Sequence, residues 1–399
     1  MIPFEILFWV SVLLVLHVYV GYPLGIYVRS KWHRAGTAPK ETASGELPCV
    51  TVLIPAHNEE RWITRKIENT LALDYPCHRL QILVASDGCT DKTVEIAGRY
   101  AERGVKVNHR AERSGKTATL NRVVPTARGD IVLLTDCNAL LAPETLRLLV
   151  PHFQDSHVGC VTGERLCLPT ESSASEGEGL YWRYEAWIKD SESKLGSCLG
   201  SNGQVMAVRK ALFPHIPVIG DDFYVPMKIL ISRGAQVRFE PRAKAFIPAA
   251  ANLGLELERK IRSHVSLFRD LPYLQEGLNP FSSRIWWRFL SHHVLRLFVP
   301  FALLMALLSS AILWRAATLY RVITIAQCAF YIAAATGYAG ARRGLRLRIV
   351  YLPFYFAFAN LGLALAWVRW ALGKHQYAWQ RTERMMPTAE PASPPGTYL

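Results

Sequence analysis

The chain has 399 residues, half of them hydrophobic, and carries a formal net charge of +14. Its apolar residues gather in residues 4–28 and between residues 289 and 372, so a wholly soluble protein is excluded. Between residues 281 and 384 Arg and Lys recur among Trp and long apolar runs, with Glu383 the only acid. This basic charge is typical of a membrane surface, or of signals flanking membrane helices, and requires no nucleic acid.

The first apolar run predicts a transmembrane anchor at residues 1–30. A cleaved signal peptide is the alternative, but no basic segment precedes the run, which is also too long for such a peptide. Arg29, Lys31, Arg34 and Lys40 follow the run directly. By the positive-inside rule they place this end, the polar linker at 31–47 and the next domain in the cytoplasm.

Residues 48–280 predict a cytoplasmic α/β domain. Short β-branched apolar runs at 50–55, 81–86, 105–109 and 131–136 are typical of buried parallel strands. Helical patterns at 59–73, 90–103 and 117–126 separate them. This alternation predicts a doubly wound, Rossmann-like sheet whose ligands lie at the carboxyl ends of the strands. The eight cysteines show no C-x-x-C pair, which favours a reduced cytosolic domain.

Three turns after predicted strands could hold a nucleotide. They are the segments PAHNEE at 55–60, SDGCTD at 86–91 and SGKTATLN at 114–121. Backbone N–H groups and carboxylates at such strand-to-helix turns can bind a base, a ribose or phosphates. Asp87 and Lys116 are the candidate contacts, although Asp and Gly are also ordinary turn residues and Lys116 could be a solvated loop lysine.

Asp136 and Asn138 follow the predicted strand at 131–136 and form a candidate metal site. Alternate residues that leave a strand end can point at one ligand, and a carboxylate with an amide oxygen suits Mg²⁺ or Mn²⁺ bridging a diphosphate. The alternative is a helix cap, because Asp and Asn are both capping residues.

Gly220, Asp221 and Asp222 form an acidic turn that could supply a general base. A sugar hydroxyl that attacks an anomeric carbon must lose its proton, and a carboxylate beside it can accept that proton. From two aspartates alone, a solvated acidic turn is the simpler interpretation.

Arg259 and Arg262 stand three residues apart in a basic stretch of a predicted helix from residue 255. They therefore share one helix face and could bind a diphosphate or an acceptor through paired hydrogen bonds. A solvated or membrane-facing basic helix is the alternative.

Residues 281–372 predict interfacial and transmembrane helices. The segment 281–297, which contains Trp286 and Trp287, is typical of an interfacial helix or of the start of a membrane helix. Apolar segments at 294–313, 317–338 and 349–371 could be three spans. Three full crossings would leave the basic tail at 373–399 outside the cell, so the positive-inside rule favours one re-entrant or interfacial segment.

The order of these features resembles glycosyltransferase family 2 with its GT-A type fold, over residues 48–385. It looks most similar to the membrane-integrated branch of cellulose, hyaluronan and poly-N-acetylglucosamine synthases. The resemblance implies an inner-membrane enzyme with a UDP-sugar donor. It implies a donor site at Ala56, Asn58, Glu59, Asp87, Lys116, Asp136, Arg259 and Arg262, metal ligands Asp136 and Asn138, and catalytic residues Asp222, as base, and Asp221. It further implies an acceptor loop at Gly200, Ser201, Asn202 and Gly203 and a gating segment with Trp379 and Arg384.

Two departures from the family pattern bear on the product. Arg259 stands where the family motif Q-x-x-R-W has Gln, and Ser263 stands at the aromatic position, where a sugar chain would stack. The first hypothesis is metal-dependent, processive transfer to a growing polysaccharide. The second is transfer of a single sugar to a lipid-linked acceptor. A third, of another class, is a non-catalytic scaffold or transporter, although a transporter should carry ionisable residues inside its spans.

Overall fold

The structure, a computed structural model, describes residues 1–33, 47–168, 174–217, 220–248, 250, 252–343, 345 and 348–373. The chain begins with two nearly continuous apolar helices, α1 (Ile2–Leu16) and α2 (Tyr22–Trp32), joined by a π-helical turn at His17–Gly21. Together they form one stretch of 31 residues that is long and apolar enough to cross a membrane. The basic Arg29 and Lys31 lie in its last turn.

An eight-stranded mixed sheet forms the centre of the next domain, in the order β3-β2-β1-β4-β7-β6-β8-β5. The first four strands in this order are parallel to one another, and β7 then runs antiparallel to both β4 and β6. Ala56 pairs with Ser86, so β1 and β2 end side by side. The strands are β1 (Val50–Ala56), β2 (Leu80–Ser86), β3 (Val105–Asn108), β4 (Ile131–Leu134), β5 (Leu140–Leu141), β6 (Val158–Cys167), β7 (Met206–Arg209) and β8 (Gln236–Ile247).

Helices cover both faces of this sheet, and the sheet divides the hydrophobic core into two layers. Along β1, Val52 and Ile54 point into one layer while Leu53 points into the other, because successive strand residues face opposite sides. One layer packs on α3, α4 and α6, and the other on α5 and α8. The helices are α3 (Ile63–Leu71), α4 (Thr93–Gly98), α5 (Lys116–Val123), α6 (Thr145–Leu149), α7 (Ala174–Lys194), α8 (Tyr224–Arg233) and α9 (Leu253–Asp270).

The predicted parallel half of the sheet is confirmed, with strand ends within three residues of the predicted ones. The antiparallel β7 and the long strands β6 and β8 complete a sheet that is mixed rather than wholly parallel. The helices predicted at 59–73 and 90–103 are shorter than predicted at both ends, whereas α5 begins one residue earlier than predicted, at Lys116, and ends earlier, at Val123. For example, α3 covers Ile63–Leu71 because residues 57–62 form a turn at the strand end.

Within the described residues of the C-terminal part there are five α-helices, namely α10 (Trp286–Phe289), α11 (Leu295–Leu297), α12 (Val299–Ile312), α13 (Thr318–Arg342) and α14 (Arg348–Ala371). Of these, α13 and residues 349–371 of α14 are each long and apolar enough to span a membrane. The predicted span at 294–313 is wrong as a single helix. Segments Trp286–Leu297 and Val299–Arg315 meet at an angle of 61°, which makes them a broken span or a re-entrant loop. Pro300 in the first turn of α12 fits this break, because proline has no N–H to donate and is tolerated where a helix begins but not in its interior.

The apolar C-terminal part packs directly on the α/β domain through α9. Ile261 and Val265 of α9 lie in one cluster with Leu297 and with Leu363 of α14. Arg369 near the end of α14 forms an ion pair of 2.6 Å with Glu258. Helix α9 therefore carries one face toward the apolar helices and the other toward the ends of the strands.

Candidate active site

One cavity of about 750 Å³ lies where the parallel strands end. Its wall includes Pro55 of β1 and Asp136 just after β4, together with side chains of α7 and α9. It also includes Leu297 and Leu363 of the apolar helices. A single cavity thus connects the ligand-binding edge of the sheet with the membrane part.

Most of the predicted site residues, although far apart in the chain, line this one cavity. Four do not contribute to the wall, namely Ala56, Asn58, Asp87 and Gly203. Trp379 and Arg384 lie outside the described residues. The residues that line the wall are Glu59, Lys116, Asp136, Asn138, Gly200, Ser201, Asn202, Asp221, Asp222, Arg259 and Arg262.

Asp87 is buried behind the wall and holds the turn that precedes Lys116. Its carboxylate accepts hydrogen bonds from the backbone N–H groups of Ser114 and Gly115, each 2.7 Å long, and from the Ser114 hydroxyl at 2.8 Å. Burial alone would raise the pKa of Asp87, but these hydrogen bonds to its charged form outweigh burial and lower that pKa. The Asp87 carboxylate therefore serves to place the start of α5, with Lys116 at its first position.

The turn after β1 is tied to the turn after β2. The carbonyl of Ala56 accepts the backbone N–H of Asp87 at 3.0 Å. Asn58 adopts a positive φ of 54°, and its side-chain oxygen accepts the backbone N–H of Thr90 at 2.8 Å. Asn tolerates this left-handed conformation better than most residues, so the two turns form one rigid rim. Glu59 projects from this rim into the cavity wall.

Lys116 bridges two carboxylates from distant parts of the chain, one just after β4 and one shortly before α8. Its ammonium lies 2.9 Å from Asp136 and 3.1 Å from Asp221. Burial alone would lower the pKa of Lys116, but the two carboxylates outweigh burial and raise it, so the ammonium stays charged. Gln204 completes the arrangement by donating a hydrogen bond of 3.0 Å to the second oxygen of Asp136.

Asp136 and Asn138 have the oxygen ligands that a divalent cation would need. The side-chain oxygen of Asn138 is buried and has no hydrogen-bond partner, which is costly for an amide unless a ligand binds there. Among the residues that the structure describes, no group of three or more His, Cys, Asp or Glu side chains could hold a metal. Mg²⁺ and Mn²⁺, however, are often held by one or two protein oxygens together with water and substrate phosphates. This pair of residues therefore fits such an ion.

Asp222 faces the cavity beside this bridged pair. Its side chain is exposed there, whereas Asp221 is buried against Lys116. The enclosing protein, and next the charge of Asp221, raise the pKa of Asp222 to about 6. Asp222 therefore presents to the cavity a carboxylate that could accept a proton near neutral pH.

The loop at Gly200–Gly203 holds the backbone of Asp222 through hydrogen bonds. Ser201 donates two hydrogen bonds to the backbone carbonyl of Asp222, one from its N–H at 3.1 Å and one from its hydroxyl at 2.6 Å. Gly200 has a φ of +114°, which glycine adopts without strain. The side chain of Asn202 is held by Lys189 of α7 at 2.7 Å. The loop is consequently fixed in place on both sides of Ser201.

Arg259 and Arg262 enter the cavity wall from α9. Arg259 is oriented by Glu256, one helical turn earlier, through hydrogen bonds of 2.9 and 2.6 Å. Ser263 is exposed, and its hydroxyl donates to the carbonyl of Arg259. The shared face predicted for the two arginines therefore points toward the ends of the strands.

The structure adds wall residues that sequence reasoning missed. Gln204 directly follows the predicted acceptor loop, and this neighbourhood was the available signal. Lys189 and Arg165 could not be recognised, because a polar residue in a helix or strand gives no indication of which cavity it faces. Asp270 follows Arg262 by about two helical turns, so helical spacing could have placed it on the same face.

Asp270 is a fully buried acid behind the turn at Gly220–Asp222. Neither of its oxygens has a hydrogen-bond partner, and the hydroxyl of Ser266, one turn earlier, also lacks one. A Cβ atom on Gly220 would approach this hydroxyl to 2.4 Å, so only glycine allows α9 to pack this closely. Burial, and next the charges of Asp222 and Asp221, raise the pKa of Asp270. Asp270 is therefore protonated in the folded protein over a wider pH range than in the unfolded chain.

Replacing Asp270 with asparagine is expected to stabilise the protein as the pH rises. Because the folded state keeps the proton of Asp270 to a higher pH than the unfolded state does, wild-type stability falls as the pH increases above about 4. The free energy of unfolding lost by the wild type is about 1.4 kcal/mol for each unit by which folding raises the pKa of Asp270. Asparagine is uncharged, so the variant avoids this loss. Thermal unfolding measured from pH 4 to pH 8 should show a variant that is close to wild type at pH 4 and increasingly more stable above it. A difference in stability between variant and wild type that is equal at all pH values would contradict a raised pKa of Asp270.

Comparison with known proteins identifies the family and the fold. Residues 51–199 match the family described as Glycosyl transferase family 2, and residues 131–341 match Glycosyl transferase family group 2. A mannosyltransferase from Pyrobaculum calidifontis, solved with GDP-Man and Mn²⁺, has a similar structure, with a TM-score of 0.69 and 25% identity. The similarity covers 92% of this chain and 99% of that one, and it confirms the predicted GT-A type fold.

Relatives of similar sequence are also glycosyltransferases. The beta-monoglucosyldiacylglycerol synthase of Nostoc sp. is 31% identical over 175 residues, which are 42% of this chain and 37% of that protein. An N-acetylglucosaminyltransferase of Rhizobium leguminosarum is 21% identical over 255 residues, 59% of each chain. The chain thus spans only about a third of the length of the first of these relatives. Because the second family match covers more than half of its residues, the chain belongs to glycosyltransferase family 2.

Proposed function

We propose that this enzyme transfers one sugar from a nucleoside diphosphate sugar to a hydroxyl group of a lipid-linked acceptor, with inversion at the anomeric carbon. The observation that carries the proposal is the continuous cavity that includes Lys116 and Asp136 as well as Leu297 and Leu363. A polar donor and an acceptor with an apolar anchor could meet in it. Asp222, which lines the same cavity, would be the general base.

In the proposed reaction, Asp222 accepts the proton of the acceptor hydroxyl as its oxygen attacks the anomeric carbon. A new bond forms between that oxygen and the anomeric carbon, while the bond from this carbon to the diphosphate breaks. The nucleoside diphosphate leaves with the electron pair of the broken bond. Attack from the face opposite the leaving group inverts the anomeric configuration.

The other wall residues would bind the donor. Lys116 and the arginines Arg259 and Arg262 present positive charge to the diphosphate. Asp136 and Asn138 would hold Mg²⁺ or Mn²⁺, which offsets negative charge on the leaving diphosphate when bound. The similar mannosyltransferase was solved with GDP-Man and Mn²⁺, which supports a nucleotide sugar and a divalent metal. The resemblance of the sequence favours UDP as the nucleotide.

Two observations favour a single transfer to a lipid over polymerisation. Ser263 occupies the place of an aromatic side chain and donates a hydrogen bond to its own helix, so it offers no stacking surface to a sugar chain. The Nostoc relative is named for a glycosylated diacylglycerol, which is a lipid. The basic residues Arg29 and Lys31 at the end of α2 favour a cytoplasmic catalytic domain on the inner membrane.

The proposal is tested by incubating the purified full chain in vesicles with UDP- and GDP-sugars and Mn²⁺ or Mg²⁺. Release of nucleoside diphosphate identifies the donor, and mass spectrometry of extracted lipids identifies the product. We expect release that depends on an added lipid acceptor and a product heavier by one sugar. A ladder of products would instead support a polysaccharide synthase. Folded protein that turns over no donor would support a non-catalytic scaffold.

A further inference from the structure

Buried polar side chains connect the N-terminal apolar helix with the catalytic domain. The hydroxyl of Tyr22 in α2 donates a hydrogen bond of 2.5 Å to Glu192 of α7. The ring nitrogen Nδ1 of His292 lies 2.8 Å from the same carboxylate oxygen. All three side chains are buried, so each of these contacts forms away from water. A buried, charged carboxylate requires such partners, and two apolar helical segments supply them here.

The same carboxylate reaches the loop that supports Asp222. The second oxygen of Glu192 accepts the backbone N–H of Leu199 at 2.9 Å. The backbone carbonyl of Leu199 lies 2.8 Å from Nε2 of His293, the neighbour of His292 in the π-helical turn Leu290–Val294. Both backbone groups of Leu199 are therefore held, one by α7 and the other by the C-terminal apolar part.

From Leu199 the path to Asp222 is short. Leu199 precedes Gly200 and Ser201, and Ser201 donates both of its hydrogen bonds to the backbone carbonyl of Asp222. The ring of His293 contacts that of Phe223, the residue that follows Asp222, with ring centroids 4.6 Å apart and planes inclined at 55°. The catalytic turn is thus held by hydrogen bonds and ring contacts that begin in the apolar helices.

We propose that Tyr22 and His293 are positioning residues, through which the apolar helices fix the place of Asp222 relative to the donor. This inference rests on the proposed role of Asp222 as the general base. Lys116 and Asp136, which would bind the donor, belong to α5 and to the segment after β4. They contact the path at Asp221 and Gln204, and they also pair with each other at 2.9 Å. Disturbing the path should therefore move the base more than it moves the donor site.

The expected consequence is a loss of turnover without a loss of donor binding. Catalytic groups must be held within roughly 0.5 Å of their working position. A misplacement of about 1 Å can cost about a hundredfold in rate. We expect His293→Leu, which removes the ring nitrogen that contacts Leu199, to lower kcat about tenfold or more at unchanged donor KM. Tyr22→Phe, which removes a single oxygen atom, should lower kcat in the same sense by a smaller factor.

Two further variants separate positioning from stability. His293→Gln places an amide N–H where the ring nitrogen was and should restore most of kcat. Thr324→Val removes a buried hydrogen bond of 2.8 Å to Ser310, between α12 and α13 and away from the catalytic domain. It should lower thermal stability and leave kcat unchanged. A purely structural role would make all these variants alike, with losses that follow their thermal stability.

The outcomes are distinguishable from a failure of the proposed function. If Asp222→Asn is inactive while folded His293→Leu and Tyr22→Phe keep the wild-type kcat, the positioning role is overturned and the base remains. If Asp222→Asn keeps its activity, the proposed mechanism itself is overturned. If His293→Leu does not fold, Tyr22→Phe decides the question, because its fold can be checked by thermal unfolding and nucleotide binding before kinetics are measured.

Discussion

An Asp222→Asn variant is expected to lose turnover by about 10²- to 10⁴-fold and to bind nucleotide almost as the wild type does. An amide has the same shape as a carboxylate, but it cannot accept the proton of the acceptor hydroxyl. The donor residues Lys116 and Asp136 pair with each other, and this contact does not involve Asp222. Steady-state kinetics with lipid acceptor and a nucleotide titration give the two quantities.

Asp74→Asn is a matched control, because Asp74 is an exposed aspartate paired with Arg147 far from the cavity wall. It should keep wild-type activity.

The wild-type enzyme should lose activity as the pH falls through about 6, the value to which the enclosing protein and the charge of Asp221 raise the pKa of Asp222. Below this pH the base is protonated and cannot accept another proton. Full turnover by Asp222→Asn, or activity that stays constant down to pH 4, would argue against Asp222 as the base.

The turns that follow β1, β2 and β4 could be predicted because their positions depend on local sequence signals. Apolar β-branched runs that end in polar turn residues define β1, β2 and β4 without any tertiary information. The position of β7 between β4 and β6 was not predictable, because it depends on which distant strands pair. For the same reason, the sequence indicated Asp136 as a candidate metal ligand and Asp222 as a candidate base. It could not show that Lys116 lies between Asp136 and Asp221.

Asp87 illustrates the limit of motif reasoning. Its position after β2 predicts a ligand contact, whereas its carboxylate is buried and accepts three hydrogen bonds from Ser114 and Gly115. The motif is correct about the place, since this turn sets the start of α5. Only the structure shows that Asp87 holds the backbone of Ser114 and Gly115 behind the cavity wall, whereas Lys116 lines that wall.

The membrane part shows what hydropathy cannot reveal. Hydropathy is an average over residues and contains no direction, so the bend of 61° near Phe298 was invisible to it. Helix α14 is apolar enough to span a membrane, yet 44% of its apolar stretch of 18 residues is buried inside the protein. For the corresponding stretch of α13 this share is 17%. Trp367 and Arg369 attach it to α11 and α9. This packing, together with the bend, favours the interpretation that one C-terminal segment does not cross completely.

Replacing Asp136 with alanine should remove the metal dependence of donor binding and lower activity by about 10²- to 10³-fold. Asp136 is the one carboxylate of the predicted metal pair, and Asn138 alone offers a single neutral oxygen. Binding of nucleotide should become weak and insensitive to Mn²⁺, which a titration with and without chelator measures. Direct Mn²⁺ binding in the presence of nucleotide, followed by electron paramagnetic resonance, gives a readout that does not depend on turnover.

The loss of Asp136 also removes a partner of Lys116, and a second variant separates the two effects. Lys116→Met removes the ammonium and keeps both oxygen ligands, so it should weaken nucleotide binding while Mn²⁺ still strengthens it. Asp136→Asn keeps one oxygen at the same place and should retain part of the Mn²⁺ response. If Asp136→Ala binds nucleotide with an undiminished response to Mn²⁺, the ion is held elsewhere. In that case the buried oxygen of Asn138 would require another partner, because an amide oxygen without one is costly inside a protein.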